Sequence, residues 1–418
     1  MKPYTSYKDS GIPWLGQIPE HWETKKISEL FTERREKVSD KDYPALSVSK
    51  AGITPQLETA VKTDDGDNRK KVCEGDFVVN SRSDRKGSCG ISPYTGSVSL
   101  INTVLQPRTD LNRTYMHYLF RSNDYIEEYY RLGRGIVADL WTTRYSEAKN
   151  IYIPFPPLAE QQRIVRFIDS KSNQIDAIIN ERKKQLTSLS ELQQIIITNA
   201  ITRGLNSDTP MRDCQSLLSL ESPKHWELKR NKSFMSETGE KVGDRASEYT
   251  LLSLTTRGVI VRDIESGKGK FPSNFEDYQI VRPNELVFCL FDIDETPRTV
   301  GIVETEGMIT GAYTALTVNE NIALTKFIYY YYLCVDYIKG LKPYYSGLRK
   351  TVRADKFLQL YIPLPPIEEQ RAIVNHIENK SEQIKTTIAK IEEEIAYLKE
   401  YKQRLIADAV TGAINVQE

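Results

Sequence analysis

Residues 151–162 read Ile-Tyr-Ile-Pro-Phe-Pro-Pro-Leu-Ala-Glu-Gln-Gln, and residues 361–371 read Tyr-Ile-Pro-Leu-Pro-Pro-Ile-Glu-Glu-Gln-Arg. Pro154 matches Pro363, Pro157 matches Pro366, Glu160 matches Glu369 and Gln161 matches Gln370, each pair 209 residues apart. The register continues without a gap through Gln174/Gln383, Leu189/Leu398 and Thr202/Thr411. One long element therefore occurs twice. In each copy the Ile-Pro-x-Pro-Pro run predicts a strand leading through extended backbone into a helix. Pro157 and Pro366 suit the first turn, where no amide donor is needed.

Beyond this joint an apolar line recurs every seven residues. The first copy runs Ile168, Ile175, Arg182, Leu189, Ile196, and the second Ile377, Ile384, Ile391, Leu398, Leu405. A stripe kept for about four heptads with few breakers predicts a coiled-coil seam. Each helix would have about 44 residues and span roughly 66 Å. Gly204 and Gly412 are suitable stops. One domain precedes the first helix and another follows it, so the second helix is expected to return antiparallel, its end at Gln417-Glu418 near the start of the chain.

The opening of each half is repeated too. Pro19-Glu20-His21-Trp22-Glu23 returns as Pro223-Lys224-His225-Trp226-Glu227 at an offset of 204, which makes the chain a tandem duplication with halves near 7–210 and 211–418. Between these anchors the offset drifts. Leu46-Ser47 meets Leu252-Ser253 at 206, and Gly90-Ile91 meets Gly301-Ile302 at 211. The intervening stretches, about 20 to 150 and 224 to 360, read as mixed α/β domains. Asp76 to Asn80 and Glu285 to Phe288 are β-rich. Arg113 to Tyr130 and Thr325 to Lys339 look helical, and the tyrosines Tyr329 to Tyr332 are expected on a packed helix face rather than stacked on bases.

At 418 residues, 27% charged and 39% hydrophobic, the chain has the length of two to four domains and a globular composition. No apolar run nears the roughly 20 residues of a membrane span, and the first residues lack a signal-peptide core, so a cytoplasmic location is expected. The five cysteines (Cys73, Cys89, Cys214, Cys289, Cys334) show no Cys-x-x-Cys spacing and are expected to be buried apolar residues rather than metal ligands. Net charge is zero. A protein that binds nucleic acid alone usually carries a basic excess.

Catalytic signatures are missing. There is no Asn/Asp-Pro-Pro-Tyr/Phe tetrapeptide, no Gly-x-Gly-x-x-Gly turn and no phosphate-binding Gly-x-x-x-x-Gly-Lys-Ser/Thr. Glu147-Ala148-Lys149 matches the Glu-x-Lys half of a nuclease site, a triplet expected by chance in so charged a chain. No metal site and no cofactor of its own is expected.

With its repeated Ile-Pro-x-Pro-Pro-Leu/Ile-x-Glu-Gln joint, long helix and Pro-x-His-Trp-Glu opening, the chain closely resembles the DNA specificity subunit of Type I restriction-modification enzymes. The resemblance spans nearly the whole length. It implies an α+β protein in which two pseudo-twofold-related α/β target recognition domains, 1–150 and 205–360, are separated by an antiparallel two-helix coiled coil, 151–204 and 361–418. Each domain would read one half of a bipartite asymmetric site in double-stranded DNA, and the helix pair would fix the gap. The helices and joints would dock two methyltransferase subunits, which hold S-adenosylmethionine. A restriction and translocase subunit using ATP and Mg would join that core. The chain itself would be non-catalytic, and partners holding the DNA backbone would explain its neutral charge.

Base-reading candidates come from loops. In the first domain Arg82, Arg85 and Lys86 follow a strand, and Arg134, Trp141 and Arg144 lie before the joint. In the second, Arg298 follows the matching strand, and Tyr344, Tyr345, Arg349, Lys350 and Arg353 match the second loop. Arginine can bond guanine bidentately and lysine can hold phosphate. Because the two sets differ, the half-sites should differ. The competing readings are a coiled-coil scaffold without a DNA role and a self-contained DNA-modifying enzyme.

Overall fold

The computed structural model of the chain describes residues 3–57, 65–135, 141–214, 216–262 and 275–416. Two compact units divide it, Met1–Lys183 with Glu392–Glu418, and Lys184–Ile391. Each unit combines one α/β domain with a segment of both long helices, which run Leu158–Arg203 and Ile367–Thr411.

The domain of the first unit is built on a four-stranded antiparallel sheet ordered Cys89–Ile91, Phe77–Asn80, Asn102–Pro107, Phe31–Glu33. Its second strand is the apolar Asp76–Asn80 run, anchored where the buried Asp76 carboxylate takes Arg34 Nε at 2.7 Å and the Cys73 amide at 2.8 Å. Helices Arg113–Phe120 and Asn123–Arg131 cover the sheet, and Phe120 meets Phe77 edge-on with ring centroids 4.7 Å apart. A gap at Arg121 and Ser122 interrupts the single helix expected over Arg113 to Tyr130. Ser122 ends the first helix through Oγ to Leu119 O at 2.7 Å and its backbone starts the second.

In the second unit the same arrangement returns as Met235–Glu237, Thr314–Val318, Leu286–Phe288, Val300–Ile302. The covering helix is Thr325–Tyr337. Tyr331 and Tyr332 are fully buried in its core, and Asn231 Nδ2 donates to the Tyr332 hydroxyl, so these rings pack as expected of a helix face. Four of the cysteines are buried and Cys73 is half-buried. Burial pushes the thiols of Cys89 and Cys334 up to about 11.

Both repeated motifs meet at the joints. Strand Tyr152–Phe155 pairs antiparallel with Glu23–Lys26, and Tyr361–Leu364 pairs with Glu227–Arg230. Each helix then begins one residue after its last proline, whose carbonyl accepts the amide of Gln161 or Gln370 at 3.0 Å. Proline thus serves as the cap here rather than as the first helical residue. The buried glutamines knit the corner: Gln161 bonds Pro156 O (2.9 Å) and the Asn112 amide (2.9 Å), and Gln370 bonds Pro365 O and the Leu324 amide (both 2.8 Å).

Within each unit the two helix segments run antiparallel. In the first, Lys402 reaches Asp176 at 2.7 Å while Arg182, the polar interruption of its heptad line, pairs with Glu394 through both oxygens at 2.9 and 3.0 Å. Rising numbers on one helix thus meet falling numbers on the other. In the second unit Ile197, Ala200 and Ile201 share one core with Ile373, Val374 and Ile377. Of the seam residues, Ile168, Ile175, Ile377, Ile384 and Leu405 are buried, while Leu189, Ile196, Ile391 and Leu398 are half-buried. Near the end of the first helix burial passes from Ile196 to Ile197 and Ile201. A 3.6-residue helix drifts off a seven-residue line in this direction.

Gly204 and Gly412 end the helices in the left-handed region, at φ of 74° and 84°. At the far end of the chain the Tyr7 hydroxyl donates to Ala413 O at 3.3 Å, and Val416 shares a core with Tyr4. Gln417 and Glu418, expected near the start of the chain, lie outside the described residues.

Candidate nucleic-acid interface

In the first unit the two predicted loops are zipped together by backbone hydrogen bonds. The Ser83 amide donates to Trp141 O at 2.8 Å and the Thr143 amide to Ser81 O at 2.9 Å, while Arg134 and Thr142 exchange bonds of 3.0 and 3.2 Å. From behind, the Tyr130 hydroxyl holds Asn80 O and the Tyr129 hydroxyl holds Thr143 O. Arg82, Arg85, Lys86, Arg134, Trp141 and Arg144 therefore belong to one loop cluster at the end of the central strand.

The second unit repeats the zipper. The Asp292 amide donates to Arg349 O at 2.9 Å and the Val352 amide to Leu290 O at 2.8 Å. This pattern places Arg349 opposite Asp292 as Trp141 lies opposite Ser83. One extra residue is absorbed by Lys350, at φ 44°. No sequence match marked these positions as equivalent, because the zipper is made by backbone.

Carboxylates of the same loops or of neighbouring helices hold most of the cations. Arg82 and Arg85 share Asp84 at 3.1 and 3.7 Å, and Lys86 reaches Glu127. Lys350 and Lys342 share Asp294 at 3.0 and 3.1 Å, Arg349 lies 3.9 Å from Asp292, and Arg353 lies 3.4 Å from Asp355. Hydrogen bonds from Lys350 and then Lys342 hold the Asp294 carboxyl below its ordinary value, and the bond to Asp294 raises Lys350. Exposed pairs of this kind are worth about 0–1 kcal/mol. A phosphate can therefore displace the carboxylates at small cost, and the fold needs no basic excess to keep these cations in place.

Aromatic rings add a second feature. Arg349 lies over Phe291 at 5.4 Å, and Phe291 stacks on Tyr313 with centroids 5.9 Å apart and planes 12° apart. Tyr344 is exposed and Tyr345 half-buried. Arg298 is placed differently: its Nη2 donates to Thr256 O at 2.9 Å and its guanidinium lies 6.0 Å from the Tyr337 ring. Glu147 and Lys149 sit at the turn Tyr145–Ala148, where the Ser146 hydroxyl bonds Glu147 at 2.6 Å and holds its carboxyl low. Among the described residues no group of three or more His, Cys, Asp or Glu side chains is placed to hold a metal, and no helix is long and apolar enough to cross a membrane.

The joints carry a charged brace that spacing alone did not disclose. His21 Nε2 lies 2.8 Å from Glu160, which also accepts from the Tyr4 hydroxyl at 2.7 Å. His225 Nε2 lies 2.7 Å from Glu369, which accepts from Trp226 Nε1 at 3.1 Å. Burial of Glu160 opposes its ionisation, but hydrogen bonds from His21 and Tyr4 outweigh this and hold its carboxyl below the ordinary value. Repeated His and Glu residues, 139 and 144 apart in sequence, were the available signal.

Comparison with known proteins adds the following. The profile of the Type I restriction modification DNA specificity domain matches residues 19–188 and 305–397. The chain is 22% identical to a putative type I restriction enzyme MjaX specificity subunit of Methanocaldococcus jannaschii, covering 96% of both chains. It is 22% identical to the type I restriction enzyme StySPI specificity subunit of Salmonella potsdam, covering 96% of this chain and 91% of that one. Among solved structures, a chain from work on complex assembly and conformational transition of the type I R-M system superposes with a TM-score of 0.63 at 16% identity, over 94% of this chain and 98% of that one. The HsdS subunit from Thermoanaerobacter tengcongensis superposes with a TM-score of 0.52 at 16% identity, over 95% and 98%.

Proposed function

Because the chain belongs to the Type I restriction modification DNA specificity family, we propose that each of its zipped loop clusters reads one half of a bipartite, asymmetric DNA site. The chain is a DNA-specificity subunit and not the catalyst of its system. Family membership leaves the scaffold and self-contained enzyme readings without support.

The observation that carries this reading is the recurrence of the backbone zipper in two domains whose side chains differ. One scaffold thereby presents Arg82, Arg85, Lys86, Arg134, Trp141 and Arg144 in one domain, and Tyr344, Tyr345, Arg349, Lys350 and Arg353 in the other. Rigid backbone with variable side chains suits two different half-sites. Residues 1–150 and 205–360 act as the target recognition domains, and 151–204 and 361–418 as helical spacers that set the gap. The exposed Ile178, Tyr397 and Tyr401 in one unit, and Leu192 and Ile195 in the other, support docking of two methyltransferase subunits on the helices. Those subunits bind S-adenosylmethionine, a restriction subunit brings ATP and Mg, and the assembly works in the cytoplasm.

Methylated adenines mapped across the genome of cells that carry this chain with its methyltransferase would test the proposal. Two different half-sites at a constant gap are expected, with Arg349→Ala relaxing recognition in one half and Arg82→Ala in the other. An unchanged pattern in both variants would refute it.

A further inference from the structure

Each domain holds a β-hairpin that the loop candidates leave out. Leu46–Ser49 pairs with Gly52–Pro55, and Leu252–Thr255 with Gly258–Val261. The turns are alike atom for atom. Ser49 Oγ takes the Ala51 amide at 3.1 Å and donates to Gly52 O at 3.3 Å; Thr255 Oγ1 takes the Arg257 amide at 3.1 Å and donates to Gly258 O at 3.1 Å. The offset here is 206, the value already seen at Leu46-Ser47 and Leu252-Ser253.

Both hairpins are seated and latched. Beneath them lie the repeated glycines of the outer sheet strand. A Cβ on Gly301 would stand 2.6 Å from Leu254 Cδ1 and 2.8 Å from Val259 Cγ2, and one on Gly90 would stand 3.4 Å from Gly52 Cα. From the side an arginine grips the same tip carbonyl in each case. Arg121 donates to Lys50 O at 2.6 Å and to Cys89 O at 2.5 Å, and Arg298 donates to Thr256 O at 2.9 Å. These arginines come from unrelated places, one at the end of a helix and one in the loop after the central strand. A tip held in one orientation by two different routes is a tip whose orientation matters.

What the tips present is positive charge. Lys50 and Arg257 are exposed, and neither has an ion-pair partner among the described residues, unlike most of the loop cations. In the first unit Lys50 and Lys86 line one open cleft of about 1210 Å³, whose wall also carries carboxylates such as Asp124, Glu127 and Asp169. In the second, Arg298 belongs to the loop that is zipped to Arg349.

We infer that the two hairpin tips are additional DNA-contacting elements, with Lys50 and Arg257 touching the duplex and Arg121 and Arg298 acting as positioning residues. The inference rests on the chain being the DNA-reading subunit. A turn whose backbone is already ordered loses less on binding than a free one, which is what the latch supplies.

The test uses the chain assembled with its methyltransferase, on duplexes bearing the mapped site. Lys50→Ala and Arg257→Ala should each lower the slope of log affinity against log salt by about one. Each should also slow methylation at limiting DNA on the order of tenfold. Arg298→Ala should do the same alone but add nothing to Arg257→Ala, and Arg298→Lys, which keeps a donor for Thr256 O, should restore part of the loss. If the wild-type complex methylates its split site and both tip variants match it in rate and salt slope, the hairpin assignment is overturned while the reading function stands. Additive losses from Arg298→Ala and Arg257→Ala would overturn the positioning role. A wild-type complex with no split site would remove the function and this inference together.

Discussion

Gly204 and Gly412 each end one of the two long helices, yet their replacement should not cost the same. Both lie in the left-handed region, where an alanine costs roughly 1–2 kcal/mol. At Gly204 the new methyl would meet Glu369 Oε1 at 3.0 Å and Trp226 Cζ2 at 3.5 Å, contacts a small side-chain shift relieves. At Gly412 it would meet Pro19 Cδ at 2.4 Å and Cγ at 2.8 Å, with Trp22 Cζ3 at 3.0 Å. Pro19 cannot yield alone, because it is paired with Tyr7 and its carbonyl accepts the Trp22 amide at 2.9 Å. Overpacking of this kind adds about 1–3 kcal/mol. Gly204→Ala should therefore cost about 1–2 kcal/mol and Gly412→Ala about 2–5 kcal/mol. Hydrogen exchange measured in the full chain, in peptides around Trp22 and Trp226, reads the two joints separately. Equal loss of protection in the two variants, or a greater loss at Trp226, would refute the packing argument.

Three further outcomes are expected. Glu160 is held low in the folded chain, so its contribution is present above the ordinary glutamate value of 4.5 and is lost as pH falls through the depressed one. Protection around Trp22 should drop as pH falls below 4.5, and Glu160→Gln should flatten that dependence; an identical profile in the variant would remove the brace from consideration. Charge reversal at Lys402→Asp should weaken the helix pair modestly, by about 1 kcal/mol or less for so exposed a contact, and Asp176→Lys in the same chain should recover it; thermal melts of the single and double variants decide. Insertion of one helical turn after Leu189 should change the gap in the methylated site while leaving the half-sites intact, and an unaltered gap would sink the spacer role.

Much of the architecture was legible because repetition carries it. The Ile-Pro-x-Pro-Pro and His-Trp-Glu motifs, paired at constant offsets, announced two joints and two helices. The heptad line announced the seam, since an apolar stripe of that period has few alternative uses in water. The glycine stops were legible from residue type alone. The loops at the ends of the central strands were legible as loops, and their arginines as candidates.

Tertiary structure decided what those residues meet. Long-range hydrogen bonds leave no periodic trace, so the backbone zipper between Ser81–Ser83 and Trp141–Thr143, and its counterpart at Leu290–Asp292, had no signature in side-chain identity. For the same reason nothing in the sequence showed that Arg298, a base-reading candidate, donates to Thr256 O, as Arg121 donates to Lys50 O in the other domain from a position with no matching sequence. Gly90 and Gly301 were visible as a repeated pair, but only the packed hairpin shows that a Cβ on Gly301 would press on Leu254 and Val259, whereas one on Gly90 would meet ordinary contacts. Sequence by itself determined the repeats, the helices and their order, because those follow from local backbone preference and hydrophobic period. Which cations are latched, paired or left facing outward was settled only when distant segments were brought within hydrogen-bonding reach.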